Sequence, residues 1–306
     1  MQPSVTILIP VYNGERTLER AILSALQQTS PDIKILISDN CSTDRTRDIA
    51  ELYVKKHKNI TYYRNTENLG SLANFRLAVE RADTTFVKWL GADDTIDPRF
   101  AELTVAAMNG HDDIVACAVG THFITDGVAD VDMPVPLMGS YRQNLDIYLR
   151  DPGRNGRLHG MHRREVICQA IKVGNYPGWD FTVIAETLRH GRHTLVPEIL
   201  MTRDQTSGDR YVQIHTAQAK NKVFRYLPML PLTFDLLLVR RFPISKEIIK
   251  GLLYLNVMWT MSHICFYNKT KIPYTHPLYR LWHRHLGWRI DPPPAQSASP
   301  AHARRT

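Results

Sequence analysis

Over its first 110 residues the chain alternates short apolar runs with stretches of helical period, an order that few folds accept. Val5–Ile9, Ile33–Ile37, Ile60–Tyr63 and residues 85–90 are runs of the length and β-branched character of buried strands. Between the first two, Leu18, Ala21, Ile22, Ala25 and Leu26 lie at the spacing of one helix face. After Ile37 a polar cluster closes the strand and offers Ser42 or Thr43 as a helix cap, with Ile49, Leu52 and Tyr53 as the buried side. Residues 72–81 supply a third helix, and a fourth begins near Pro98. The alternation predicts an α/β fold, a mainly parallel sheet with helices on both faces.

In such a sheet ligands bind beyond the carboxyl ends of the strands. Polar residues stand at each of those ends: Tyr12 and Asn13, then Asp39, then Asn68, then Asp93 and Asp94. Gathered in one crevice, they suit a nucleotide, with polar edges for the base, acceptors for the ribose and carboxylates for a cation on the phosphates. No glycine-rich dinucleotide or phosphate loop follows the first strand, so phosphate charge falls to that cation. Adjacent carboxylates at Asp93 and Asp94 suit a divalent ion whose other ligands come from the substrate; their alternative use is to cap the next helix.

The four cysteines are too far apart for a zinc site or a disulfide framework, which predicts reduced thiols in the cytoplasm. Charge is uneven. The net +8 arises in residues 201–306, which hold 16 Lys+Arg against 5 Asp+Glu, interleaved with apolar runs and aromatics. That mixture suits an anionic membrane surface or a helical subdomain with a solvated basic face; no nucleic-acid motif accompanies it. Residues 211–226 read as an amphipathic helix. Residues 248–266 carry Lys250, Asn256, Ser262 and His263, and fit an interfacial or packed helix better than a spanning one.

Several motifs occur in order: residues 5–15 (VTILIPVYNGE), 38–44 (SDNCSTD), Asn68-Leu69-Gly70, Ala73-Asn74 and Gly91-Ala92-Asp93-Asp94. Together they resemble family 2 glycosyltransferases, closely over residues 4–105 and more loosely to 203. The resemblance implies a GT-A fold and transfer of a sugar from a nucleotide-diphosphate donor (UDP-, GDP- or dTDP-linked) to an acceptor hydroxyl with inversion. It implies that Pro10, Val11, Tyr12, Asn13, Glu15, Asp39, Asn68, Asn74 and Asp93 serve the nucleotide. Asp93, with Asp94, would hold Mg2+ or Mn2+ as the last carboxylate of the family's D-x-D motif. Gly91 stands where many relatives carry the first acid of that motif.

Residues 177–188 read as a helix ended by Gly191, with Asp180 at its start, where the family resemblance implies the catalytic base; an N-cap role is compatible with the same place. His159, His162 and Arg203 are candidates for the diphosphate or the acceptor. The expected organisation is a GT-A domain at 1–205 (nucleotide half 1–110, acceptor half 111–205), a basic, apolar helical extension at 206–290 and a disordered tail at 291–306. The expected setting is the cytoplasm, peripheral on the inner face of the membrane, with a glycan or lipid-linked acceptor of cell-surface polysaccharide or glycolipid assembly. Rival readings are a non-catalytic nucleotide-sugar binder, a nucleotidyltransferase of similar fold, and a glycoside hydrolase.

Overall fold

The structure is a computed structural model that describes residues 4–125, 128–152, 155–204 and 229–267. The expected helix at 211–226 and tail at 291–306 lie outside the described residues. Contacts divide the chain into Met1–His263 and Ile264–Thr306; of the second unit only the last turn of one helix is described.

Nine strands form one sheet: β1 (Val5–Val11), β2 (Ile33–Asp39), β3 (Ile60–Arg64), β4 (Phe86–Trp89), β5 (Thr95–Ile96), β6 (Ile114–Thr125), β7 (Val128–Asp132), β8 (Met161–Arg163) and β9 (Arg192–Asp204). Their order is β3-β2-β1-β4-β8-β6-β9-β5, with β7 beside β6. β3, β2, β1 and β4 are parallel, as the alternation requires. Beyond β4 the sheet is mixed: β8 runs antiparallel to β4 and β6, while β6 and β9 are parallel. The strand order reverses direction at β1, whose neighbours are β2 and β4, so the crevice of an open α/β sheet falls at the ends of β1 and β4.

Helices α1 (Leu18–Leu26), α2 (Thr46–Lys56), α3 (Ser71–Arg81), α4 (Phe100–Met108), α5 (Tyr141–Arg150), α6 (Arg164–Ala170) and α7 (Trp179–Thr187) cover the sheet. Side chains alternate across it and build two cores. Val5, Ile7 and Ile9 pack with α1, α2 and α4, whereas Leu8, Val87 and Trp89 pack with α3, α5, α6 and α7. The second core also receives α8 (Leu230–Phe234) and α9 (Lys246–Tyr267) through Leu232, Ile248, Leu252 and Leu255. Part of the predicted extension is therefore core.

Three local expectations change. Helix α2 starts at Thr46, because the hydroxyls of Ser42 and Thr46 are bonded to the backbone N–H groups of Asn13 and Gly14 and so tie two loops together. Leu52 is exposed on α2. Helix α7 ends at Thr187, and Gly191 instead lets the entry to β9 press against the Asp113 carbonyl, where a Cβ would collide.

Candidate active site

The end of β1 is tied to the end of β2 by short polar bonds. Asn13, at φ 52°, accepts from the Thr43 N–H (2.8 Å) and its own N–H donates to Ser42 Oγ (2.9 Å). Glu15 Oε2 accepts from the Arg45 N–H. Pro10 and Val11 are buried in β1, and Tyr12 is exposed. Asp39 closes β2 with no exposed surface: Oδ1 accepts from the Ser42 N–H (2.8 Å) and hydroxyl (2.5 Å), and Oδ2 accepts from the Tyr62 hydroxyl (2.6 Å) beside Arg64 (3.6 Å). A fully bonded carboxylate of this kind fixes loop shape before it can serve a ligand.

Asn68 and Asn74 also act on the loops. Asn68 Oδ1 accepts from Asn40 Nδ2 (2.7 Å) and the Gly70 N–H (3.0 Å). Buried Asn74 donates to the Ser38 carbonyl (2.8 Å) and accepts from the Ser38 hydroxyl (2.8 Å). The buried amides Asn40, Asn65 and Asn74 thus lock the turns after β2 and β3 together.

Asp93 and Asp94 leave β4 in a turn closed by the Asp94 N–H on the Gly91 carbonyl (3.0 Å). They differ sharply. Asp94 is buried and its Oδ2 lies 3.3 Å from Arg203 Nε; burial holds its carboxyl well above the usual carboxylate range, against the pull of Arg203. Asp93 is half-buried, and Arg20 donates to its carbonyl oxygen (2.6 Å). A Cβ on Gly91 would stand 2.6 Å from Asp94 Oδ2 and 2.9 Å from Asp93 Oδ1, so both carboxylates converge where a side chain is missing. Among the described residues no three His, Cys, Asp or Glu side chains form a closed metal cage. What is present suits an ion that takes one or two protein oxygens and completes its shell from phosphates.

Arg203 also acts by its charge on Asp180. Asp180 sits in the first turn of α7, one residue past the start, and Gly178 rather than Asp180 occupies the cap, at φ 80° with Met229 packed where a Cβ would be (2.6 Å). Asp180 Oδ2 accepts from Asn155 Nδ2 (2.7 Å), and Asn155 Oδ1 accepts from the Tyr148 hydroxyl (2.8 Å). Burial raises the Asp180 carboxyl, while the Asn155 bond and the Arg203 charge lower it. Arg203 therefore pairs with Asp94 at 3.3 Å, and its charge acts on Asp180 as well.

His159 and His162 are both buried, with the Lys88 charge acting on each. Nδ1 of His159 donates to the Trp89 carbonyl (3.2 Å); burial beside Arg203 and Lys88 depresses its pKa far below the ordinary value. His162 has no exposed surface, and its Nε2 donates to the Arg157 and Leu158 carbonyls (3.0 and 3.2 Å). Through Nε2 the ring holds the 156–163 turn, while its buried Nδ1 has no hydrogen-bond partner among the described residues.

Three residues outside the sequence reading belong here. Asn155, at φ 51°, gave no signal beyond its place in a Gly-flanked loop. Tyr148 is buried behind it. Lys88 did give one, as a lone cation inside an apolar run. Its Nζ has no exposed surface, donates to the carbonyls of His159 (2.8 Å) and Trp89 (3.1 Å), and lies over the Phe100 ring; burial lowers its pKa to about 7.

Comparisons with known proteins bear on this geometry. The chain is 37% identical over 93 residues to a putative teichuronic acid biosynthesis glycosyltransferase, TuaG, of Bacillus subtilis, a match over 30% of this chain and 37% of that protein. The chain thus spans about a third of the length of such curated relatives. Among solved structures, S. aureus TarS 1–349 in complex with UDP-GlcNAc superposes with a TM-score of 0.65 at 17% identity, over 90% of this chain and 78% of that one. A mannosyltransferase from Pyrobaculum calidifontis, in complex with GDP-Man and Mn2+, gives 0.59 at 15% identity, over 94% and 85%. At these identities the likeness is one of fold, the GT-A arrangement. The sequence profile of glycosyl transferase family 2 matches residues 6–166, more than half of the chain, and on that match the protein belongs to this family.

Proposed function

We propose that this protein transfers a sugar from a nucleoside-diphosphate donor to an acceptor hydroxyl by a single displacement with inversion, in the assembly of a cell-surface polysaccharide or glycolipid. The observation that carries the reading is the shared guanidinium: Arg203 pairs with Asp94 of the β4 turn at 3.3 Å, and its charge also acts on Asp180. The relatives' names support the class of product, since one acts in teichuronic acid biosynthesis, and the solved neighbours' bound UDP-GlcNAc and GDP-Man support the class of donor.

The loops after β1 and β2, with Tyr12, Asn13 and Glu15 at the surface and Asp39 beneath, hold the nucleoside. Asp93 would be the protein ligand to Mg2+ or Mn2+, and one solved neighbour is in complex with Mn2+; when bound, the ion would offset charge on the departing diphosphate. Asp94 contributes through Arg203: it fixes the guanidinium, which faces the same charge. Asp180 takes the proton of the acceptor hydroxyl as its oxygen attacks the anomeric carbon, a contribution of about 10²–10⁴-fold for a general base. Asn155 holds that carboxylate in place by donating to its Oδ2. A lipid-linked acceptor would bring the enzyme to an anionic membrane surface through its basic C-terminal third.

Two measurements test this. Thermal shifts with UDP-, GDP- and dTDP-sugars, with and without Mn2+, should single out one nucleotide, because a ligand stabilises in proportion to its occupancy. Asp180→Asn should keep that shift and lose transfer by at least a hundredfold. Transfer at the parental rate by Asp180→Asn would remove Asp180 as base, and no shift with any nucleotide would remove the donor class.

A further inference from the structure

We infer that the outer face of the 234–253 segment is a docking surface for an anionic lipid bilayer, centred on Leu238, Val239 and Ile244. This deepens one part of the reading above, the membrane surface, and rests on it. Leu238, Val239 and Ile244, at 69%, 71% and 65% exposure, are the most exposed large apolar side chains among the described residues. Phe234, Ile249 and Leu253 add to them at about half exposure.

These side chains are displayed by a rigid support. Leu236 is buried and points into the core, while the next turn is pinned by Arg240, whose guanidinium reaches Asp235 (2.6 Å), Glu186 (3.3 Å) and the Lys172 carbonyl (2.9 Å). Tyr176 donates to the same Asp235 (2.8 Å). Leu238 and Val239 cannot turn inward without breaking that buried network. Helix α9 is likewise two-faced: Ile248, Leu252 and Leu255 pack inward, and Ile249 and Leu253 stand outward.

The charge pattern selects the occupant. Arg241, Lys246 and Lys250 are exposed among the apolar side chains, against the single half-exposed acid Glu247. A face that presents both cations and large apolar groups matches a headgroup layer over hydrocarbon, where the cations meet phosphates and the apolar groups insert. An apolar cavity of about 400 Å³ between α8 and α9, lined by Leu230, Leu237, Ile249, Leu252 and Leu253, opens on the same side and offers room for part of a lipid chain. A copy of the same face would set cation against cation, so the bilayer is the better partner.

The test is co-sedimentation of the full chain with vesicles of phosphatidylcholine alone or with 30% phosphatidylglycerol, read beside its thermal shift with nucleotide. The wild type should bind the anionic vesicles and not the neutral ones. Leu238→Glu/Val239→Glu/Ile244→Glu should lose binding at least tenfold at any salt. Arg241→Gln/Lys246→Gln/Lys250→Gln should lose it at low salt and leave a weaker, salt-independent remainder. Both variants should keep the wild-type unfolding profile and nucleotide response. If the wild type binds and the glutamate variant binds equally, this face is overturned while membrane attachment stands. If the wild type binds no vesicle, both fall together. A concentration-dependent dimer abolished by the glutamate variant would make the face an interface between copies and overturn the lipid assignment.

Discussion

Lys88 offers a quantitative test of how the two halves of the site are joined. Its Nζ bridges the Trp89 and His159 carbonyls, 70 residues apart, beside the Phe100 ring and Met201, with Asp94 and Arg203 as the charges that act on it. Two carbonyl acceptors match the two N–H donors of a neutral amine, and the pKa falls from 10.5 to about 7 because burial disfavours the ammonium. The sign of the effect follows from linkage. Above pH 7 the unfolded chain still holds the proton up to 10.5 and the folded chain does not, so stability should rise with pH across that window.

With those two values the gain between pH 7.5 and 9.5 is about 2.5 kcal/mol, close to 1.36 kcal/mol per pH unit. Lys88→Met keeps the volume and removes the titration. Urea unfolding of both proteins at the two pH values gives the comparison, and every other titrating group cancels in the difference. The wild type should gain about 2.5 kcal/mol more than the variant over that interval. A difference below about 0.5 kcal/mol would mean that the amine stays protonated inside the fold with Asp94 as its counter-charge, and would refute the neutral bridge.

Two further perturbations separate positioning from support. Asn155→Ala removes a donor to the Asp180 carboxylate worth roughly 1.5–3 kcal/mol; the acidic limb of kcat/KM should move up by about one to two pH units, with donor affinity unchanged, and an unshifted limb would assign Asn155 to the loop alone. Gly91→Asp restores the acid common among relatives at a point where its Cβ stands under 3 Å from both neighbouring carboxylates. In EDTA the variant should melt lower, since carboxylates about 4 Å apart repel by about 4 kcal/mol at an effective dielectric of 20. Added Mn2+ should raise its Tm more than that of the wild type, and equal shifts would place the ion elsewhere.

The nucleotide half was legible because its signals are local. Each strand of the β3-β2-β1-β4 set is a continuous apolar run, each helix a stripe, and parallel strands need those crossovers. The acceptor half was not. β6 carries Gly120 and a polar end, and pairs with β9 through register shifts at Val119, Gly120 and Thr121. β8 has three residues, too few for any period to show. Such strands exist because partners distant in sequence meet them, a cause that a window of residues does not contain.

The same division runs through the site. Residue type announced the acids Asp39, Asp93, Asp94 and Asp180, but type alone does not say which carboxylate is free. Asp39 is saturated by Ser42, Tyr62 and Arg64, and Asp94 is turned to Arg203, which leaves Asp93 and Asp180 the more available. Those partners come from 3 to 109 residues away. Lys88 and Arg203 carry the connection between halves, and each does so from a strand whose neighbours are set by the sheet order. A substitution at either should therefore be felt in both halves, whereas the Glu15 bonds to Asp44 and Arg45 tie only the loops after β1 and β2.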